Sequence, residues 1–152
     1  MDMSKALDSL HHSLTVAKLN AYNFSNKSLT LMRSFFDGRL NRVKIGAAKS
    51  DWKEMKRGCP QGSSLGPLLW NLYQNNLSYQ VRNANLTMFA DDHQLYTMGS
   101  DVEAMENHLE SEANKALAWY NNNYLTANPD KFQLLLIKPR NNKEQASLTI
   151  NG

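Results

Sequence analysis

Met88-Phe89-Ala90-Asp91-Asp92-His93-Gln94-Leu95-Tyr96 sets two adjacent carboxylates between two short apolar stretches. Like charges side by side repel, and an apolar setting makes their ionisation costlier. A tight turn relieves both costs, because there each acid can reach water or a cation. Residues 86–90 and 94–98 are strand-like, so the stretch reads as a β-hairpin with acids at its tip. Two uses of such a tip stand side by side. One is a solvated Asp-Asp turn. The other is a divalent-cation site, in which a metal turns the repulsion into binding.

A second informative stretch lies upstream. Residues 58–77 read Gly-Cys-Pro-Gln-Gly-Ser-Ser-Leu-Gly-Pro-Leu-Leu-Trp-Asn-Leu-Tyr-Gln-Asn-Asn-Leu, a Gly/Pro/Gln/Ser loop running into an amphipathic helix. Gly58, Gly62 and Gly66 allow close backbone approach to a ligand. Ser63 or Ser64 can cap the helix, and Pro67 suits its first turn. A helix N-terminus offers free N–H donors to an anion such as phosphate. Taken alone, this loop discriminates little.

The bulk composition narrows the class. With 152 residues, 41% of them apolar, the chain is long enough for one modest domain and unlike a disordered one. No run is apolar enough to span a bilayer, and no signal-peptide pattern opens the chain. An intracellular location, nucleus or cytoplasm, is expected. Cys59 is the single cysteine, which excludes an internal disulfide and a Cys-rich zinc site. It reads as a loop spacer. The net charge of +3 suits a polyanionic partner without demanding one.

The pattern along the chain alternates helices with hairpins. Ser4 can cap a helix through about residue 20, and a second helix covers about 27–36. Residues 42–45 and 51–55 alternate at period two around a 46–49 connection, which predicts a hairpin. Further helices are expected over about 65–82 and 102–122, the latter capped by Ser100 or Asp101. Residues 132–137 are a predicted strand, and 147–150 a shorter one. His11 and His12, adjacent on a helix, cannot face one metal and read as solvent-facing or partly packed. Trp70 and Tyr73 read as core, and Asn121-Asn122-Asn123 as a helix end. Lys53, Lys56 and Arg57 form a basic cluster before the Gln61-Gly62 loop, either a solvated face or a phosphate contact. The expected class is α+β, an antiparallel sheet packed against helices.

Four stretches together resemble the reverse transcriptases. Residues 58–69 are similar to their Gln-Gly loop, and Phe89-Ala90-Asp91-Asp92 to their aromatic-x-Asp-Asp box. Met1-Asp2-Met3-Ser4-Lys5-Ala6-Leu7-Asp8 resembles the first-aspartate motif, usually Asp-x-Ser-Lys-Ala-Phe-Asp. Leu125-Thr126-Ala127-Asn128-Pro129-Asp130-Lys131-Phe132 resembles the later Asn-x-x-Lys motif. The wording is nearest to non-LTR, LINE-like, jockey-type retrotransposon polymerases. The four motifs keep the family's order and span nearly the whole chain.

The resemblance implies a polymerase palm over residues 1–152, beginning at the first-aspartate motif, with fingers, thumb and endonuclease lacking. It implies RNA-directed DNA synthesis, with an RNA template, a DNA primer and dNTPs as partners. Asp2, Asp91 and Asp92 would hold Mg²⁺ or Mn²⁺, aided by the Met3 carbonyl. Two divalent ions can activate a 3′-hydroxyl and stabilise a leaving pyrophosphate. Lys131 would protonate or neutralise that pyrophosphate. Gln61, Gly62 and Phe89 would lie against nucleotide and template. Leu7 stands where the family's sugar-gating aromatic usually sits, and Asn76 where relatives often carry Asp. The alternative is an inactive remnant that binds nucleic acid or is purely structural. Metal binding through Asp2 and Asp91 separates the two. A group II intron or retron-type enzyme is disfavoured by Ser63-Ser64-Leu65-Gly66-Pro67 after the Gln-Gly pair.

Overall fold

A computed structural model describes the chain over residues 6–137 and 145–150. The chain divides into two compact units. One is Leu7–Tyr73; the other comprises Ala6 and the described residues from Gln74 onward. Asp2 and Met3 lie outside the described residues.

In the first unit, α1 (Ala6–Ser9) and α2 (His12–Ala21) replace the single predicted helix. The interruption has a visible cause. His11 is extended, with ψ 116°, and forms a bridge to Arg57. The N–H of Gly58 donates to the Leu10 carbonyl at 2.7 Å, and that of Cys59 to the Leu7 carbonyl at 3.2 Å. A distant loop therefore takes carbonyls that a continuous helix would use, and His11 recaps the chain by accepting from the Leu14 N–H.

Helix α3 (Asn26–Phe36) packs on α2. Ser25 caps it, accepting from the Ser28 N–H. Between the two helices, Phe24 N–H bonds the Leu19 carbonyl and Asn23 N–H bonds the Asn20 carbonyl. Asn23 is left-handed, with φ 61°, so the connection is a Schellman ending. Leu10, Leu19 and Leu29 are buried there, each contributing about 1.5–3 kcal/mol relative to exposure.

The predicted 42–55 hairpin is present but nested. Strands β1 (Leu40–Asn41) and β4 (Lys53–Glu54) pair, as do β2 (Lys44–Ile45) and β3 (Ala48–Lys49). The connection shrinks to Gly46-Ala47, with Gly46 at φ 57°. Helix α4 (Gly66–Gln74) starts as expected but ends early, giving way to a 3-10 turn over Asn75–Tyr79. Ser78 Oγ donates to the Asn75 carbonyl, the local competition that makes Asn and Ser poor helix formers. Trp70 and Tyr73 are buried, as predicted.

In the second unit, β5 (Asn85–Phe89) and β6 (Asp92–Tyr96) make an antiparallel hairpin that packs on α5 (Val102–Asn122). Asp101 caps α5 by accepting from the Ala104 N–H at 3.1 Å. Asn123 closes it, and Tyr124, at φ 57°, starts a second Schellman ending through the Leu125 N–H and Tyr120 carbonyl. Residues 132–137 and 147–150 are not strands, contrary to expectation. Leu135 and Ile137 are 79% and 87% exposed, and no strand among the described residues pairs with this segment as a ladder requires. The fold is thus mixed helix and antiparallel strand, with three two-stranded ladders among the described residues in place of one sheet.

Candidate active site

The Asp-Asp hairpin is the best-defined part of the candidate site. Register runs Asn85↔Tyr96, Leu86↔Leu95, Thr87↔Gln94, Met88↔His93 and Phe89↔Asp92. Ala90 and Asp91 therefore form a two-residue turn, and Asp92 already belongs to β6. Ala90 is left-handed, with φ 52°, as the first central residue of a II′-type hairpin turn requires. Asp91 occupies the second turn position. Strand alternation sends Asp92 to the outward face with Phe89, Thr87 and Gln94, all exposed. Both carboxylates thus reach solvent, which settles the conflict that their adjacency poses.

The inward face carries the anchor. His93 is 1% exposed, with Nδ1 2.7 Å from the Tyr120 hydroxyl and Nε2 2.8 Å from Gln74 Oε1. The amide oxygen can only accept, so Nε2 carries the proton and Nδ1 accepts from the Tyr120 hydroxyl. Burial pushes the His93 pKa down to about 4, so the ring is neutral at pH 7. Burial pushes the Tyr120 phenol up, which keeps it a donor. The residue beside Asp92 is thereby fixed to α5.

A second fixation lies one step earlier. Glu112, buried within α5, accepts from the Asn83 backbone N–H at 3.3 Å, from Asn83 Nδ2 at 3.4 Å and from Lys115 Nζ at 2.5 Å. Burial alone would raise its pKa, but Lys115 and then the Asn83 N–H outweigh it and hold the carboxyl below its usual value. Asn83 immediately precedes the β5 approach, so both ends of the hairpin are tied to one helix.

The Gln-Gly loop belongs to the first unit and is built against α1. Gly58 has φ 81°, and a Cβ there would meet the Asp8 Cα and carbonyl oxygen at 2.9 Å. Its lack of a side chain serves the crossing of loop and helix, not a ligand as expected. Gly66 is likewise packed, 3.4 Å from Cys59 Sγ by the same construction. Gly62, at φ 79°, has open space and is the one of the three that leaves room for a ligand. Gln61 Nε2 donates to both Asp8 oxygens, at 3.2 and 3.3 Å. Leu7 is half-buried on α1, its carbonyl held by Cys59. Ser63 Oγ accepts from the Leu65 N–H at 3.2 Å, capping the start of α4. Cys59 is buried and its thiol pKa raised, first by burial and then by Asp8, which makes it inert.

The structure therefore brings Leu7, Asp8, Gln61 and Gly62 to one place, and Phe89, Asp91 and Asp92 to another. Lys131 is exposed at the end of a 3-10 turn, Pro129–Lys131. No group of three or more metal-ligating side chains converges among the described residues, and Asp2 is not one of these. Asp8, His93, Tyr120 and Glu112 went unread as site residues. Asp8 carried a signal, since it ends the first-aspartate motif. The other three carried none, because a buried polar contact between distant residues has no sequence signature.

The family described as Reverse transcriptase (RNA-dependent DNA polymerase) matches residues 1–150. The chain belongs to the reverse transcriptase family. It is 28% identical over 138 residues to a "Probable RNA-directed DNA polymerase from transposon BS" of Drosophila melanogaster, covering 86% of this chain and 15% of that protein. It is 25% identical over 130 residues to the "RNA-directed DNA polymerase from mobile element jockey" of Drosophila funebris, covering 78% and 14%. These relatives are polymerases of non-LTR retrotransposons, as the motif wording had indicated. This reverse transcriptase chain spans about 15% of the length of such relatives. No helix among its described residues is long and apolar enough to cross a membrane.

Proposed function

We propose that this chain supplies the catalytic palm of an RNA-directed DNA polymerase, joining dNTPs to a DNA primer on an RNA template. The observation that carries the reading is the presentation of Asp91 and Asp92. Both are exposed at the tip of a hairpin whose other face is pinned by the buried His93. Hard oxygen donors fit Mg²⁺ or Mn²⁺, and exposure leaves room for the waters that Mg²⁺ retains. Asp2 and the Met3 carbonyl would complete the ligand set. Bound there, the metal supplies charge neutralisation at the reacting phosphate and a lowered hydroxyl pKa.

The chain's own residues have distinct tasks in this reading. Asp91 and Asp92 hold the cation. His93, Tyr120 and Glu112 keep the tip from shifting, since a misplacement of about 1 Å can cost on the order of 100-fold in rate. Asp8 orients Gln61, and the open Gly62 lets the nucleotide approach the loop backbone. Lys131 is the candidate to neutralise the departing pyrophosphate.

The test is a chimera in which residues 1–152 replace the matching segment of the jockey polymerase. Primer extension on an RNA template is expected, with Asp91→Asn abolishing it while circular dichroism stays unchanged. Extension by the Asp91→Asn chimera near the parental rate would remove the catalytic assignment.

A further inference from the structure

The chain's positive charge is concentrated in one exposed element. Residues 39–57 hold seven basic and two acidic side chains, a net of +5, whereas the whole chain carries +3. The remainder is therefore net negative. Every residue from 40 to 54 is exposed, so both faces of this ribbon reach solvent. An isolated two-stranded hairpin is marginally stable in water, and this one has features that lower its stability further. Lys44 and Lys49 lie directly opposite each other in the ladder, a destabilising like-charge pair. An anion between them would reverse the sign of that interaction.

The register adds a second feature. Asn41 pairs Lys53 but Lys44 pairs Lys49, so the return strand holds one extra residue between the two ladders. That is a β-bulge at Asp51-Trp52 opposite Arg42, a device that re-aims a side chain. Here the Arg42 guanidinium lies 4.4 Å over the Trp52 ring. Trp52 is nonetheless 56% exposed, so the residue stays open to solvent beside Arg42. An exposed aromatic side chain bordered by cations is the arrangement that holds unpaired bases beside their phosphates.

We propose that residues 40–54 are a docking ribbon for single-stranded nucleic acid. Arg42, Lys44 and Lys49 contact successive phosphates, and Trp52 stacks on an unpaired base. The inference rests on the polymerase reading for the presence of such a strand, and it adds a binding surface outside the Asp-Asp site. The opposite ribbon face carries Val43, Ile45 and Ala48 and is not part of the contact.

The test is fluorescence anisotropy of the full chain with oligouridylate, oligothymidylate and a duplex of the same length, titrated at roughly 50 to 200 mM salt. Single strands are expected to bind more tightly than the duplex, and the tighter of the two identifies which strand the ribbon serves. Replacing Lys44 and Lys49 together by Ser should lower the salt slope by about 1.4, from about 0.7 per phosphate. That variant should unfold no earlier than the parent, which separates lost binding from lost fold. Trp52→Leu should weaken binding about 5- to 150-fold. Ile45→Thr, on the other face, should change nothing.

Undiminished binding by the Lys44/Lys49 and Trp52 variants would overturn the ribbon while leaving the polymerase reading intact. Loss confined to Ile45→Thr would overturn it in favour of an apolar protein contact. Absence of binding to either strand at the lowest salt would count against the ribbon and the polymerase reading together, whereas the Asp91→Asn chimera judges the latter alone.

Discussion

Replacing His93 by Leu removes the ring that joins the Asp-Asp hairpin to α5 while keeping a similar apolar volume. Two short hydrogen bonds are lost, at 2.7 Å to Tyr120 and 2.8 Å to Gln74. Both partner groups lie on buried residues, and each loss of a partner in such a setting costs about 1–3 kcal/mol. The expected destabilisation is therefore about 2–6 kcal/mol, a large share of a typical stability of about 5–15. With a urea m-value near 2 kcal/mol per molar, the midpoint falls by about 1–3 M. Tyr120→Phe deletes one of the two bonds and should cost about 1–2 kcal/mol. Once the ring is gone, its hydroxyl has less to lose. The double variant should therefore fall short of the sum of the singles by about 1 kcal/mol, measured as a double-mutant cycle in urea. A His93→Leu midpoint within about 0.2 M of the parent, or additivity within about 0.5 kcal/mol, would refute the anchoring role.

Other outcomes follow from particular backbone and burial features. Gly58→Ala should destabilise by more than about 2 kcal/mol, since it adds a left-handed penalty to a backbone clash with Asp8; Gly62→Ala, with the same φ region and open space, should cost about 1 kcal/mol, both read by thermal melting. Tyr124→Gly should stabilise α5 by about 0.5–1 kcal/mol, because Tyr124 is held at φ 57° and is half-exposed; unchanged urea midpoints would show that its side chain compensates. Burial lowers the Lys18 pKa to about 8 from 10.5, so between these values the unfolded chain binds the extra proton and stability rises with pH. Lys18→Met should remove that rise, seen by comparing urea midpoints of both proteins from pH 7.5 to 10.5.

Much of this fold was legible because local signals agreed with burial. Val102–Asn122 was readable end to end, with Asp101 as cap and the three asparagines at its close. The hairpin at 85–96 was readable from alternation, although the turn proved to be Ala90-Asp91, which moves Asp92 onto a strand. What failed was set by distant partners. The helix expected from Ser4 to about residue 20 breaks at Leu10-His11, because Gly58 and Cys59 claim its carbonyls from nearly 50 residues away. Residues 132–137 have a strand's composition, but a strand exists only where another pairs with it. In the site, the carboxylate pair and the Gln-Gly loop had sequence signatures tied to chemistry. The groups that hold them in place, Asp8, His93, Tyr120 and Glu112, became visible only through contacts across tens of residues.

The central claim, that Asp91 and Asp92 hold a divalent cation, is tested most directly by titrating Mn²⁺ into the isotopically labelled chain and following paramagnetic broadening of its amide signals. Broadening at low Mn²⁺ should centre on residues 90–93, and Asp91→Asn should abolish it while the remaining spectrum stays in place. Broadening that spares the hairpin tip, or that persists unchanged in Asp91→Asn, would contradict the account.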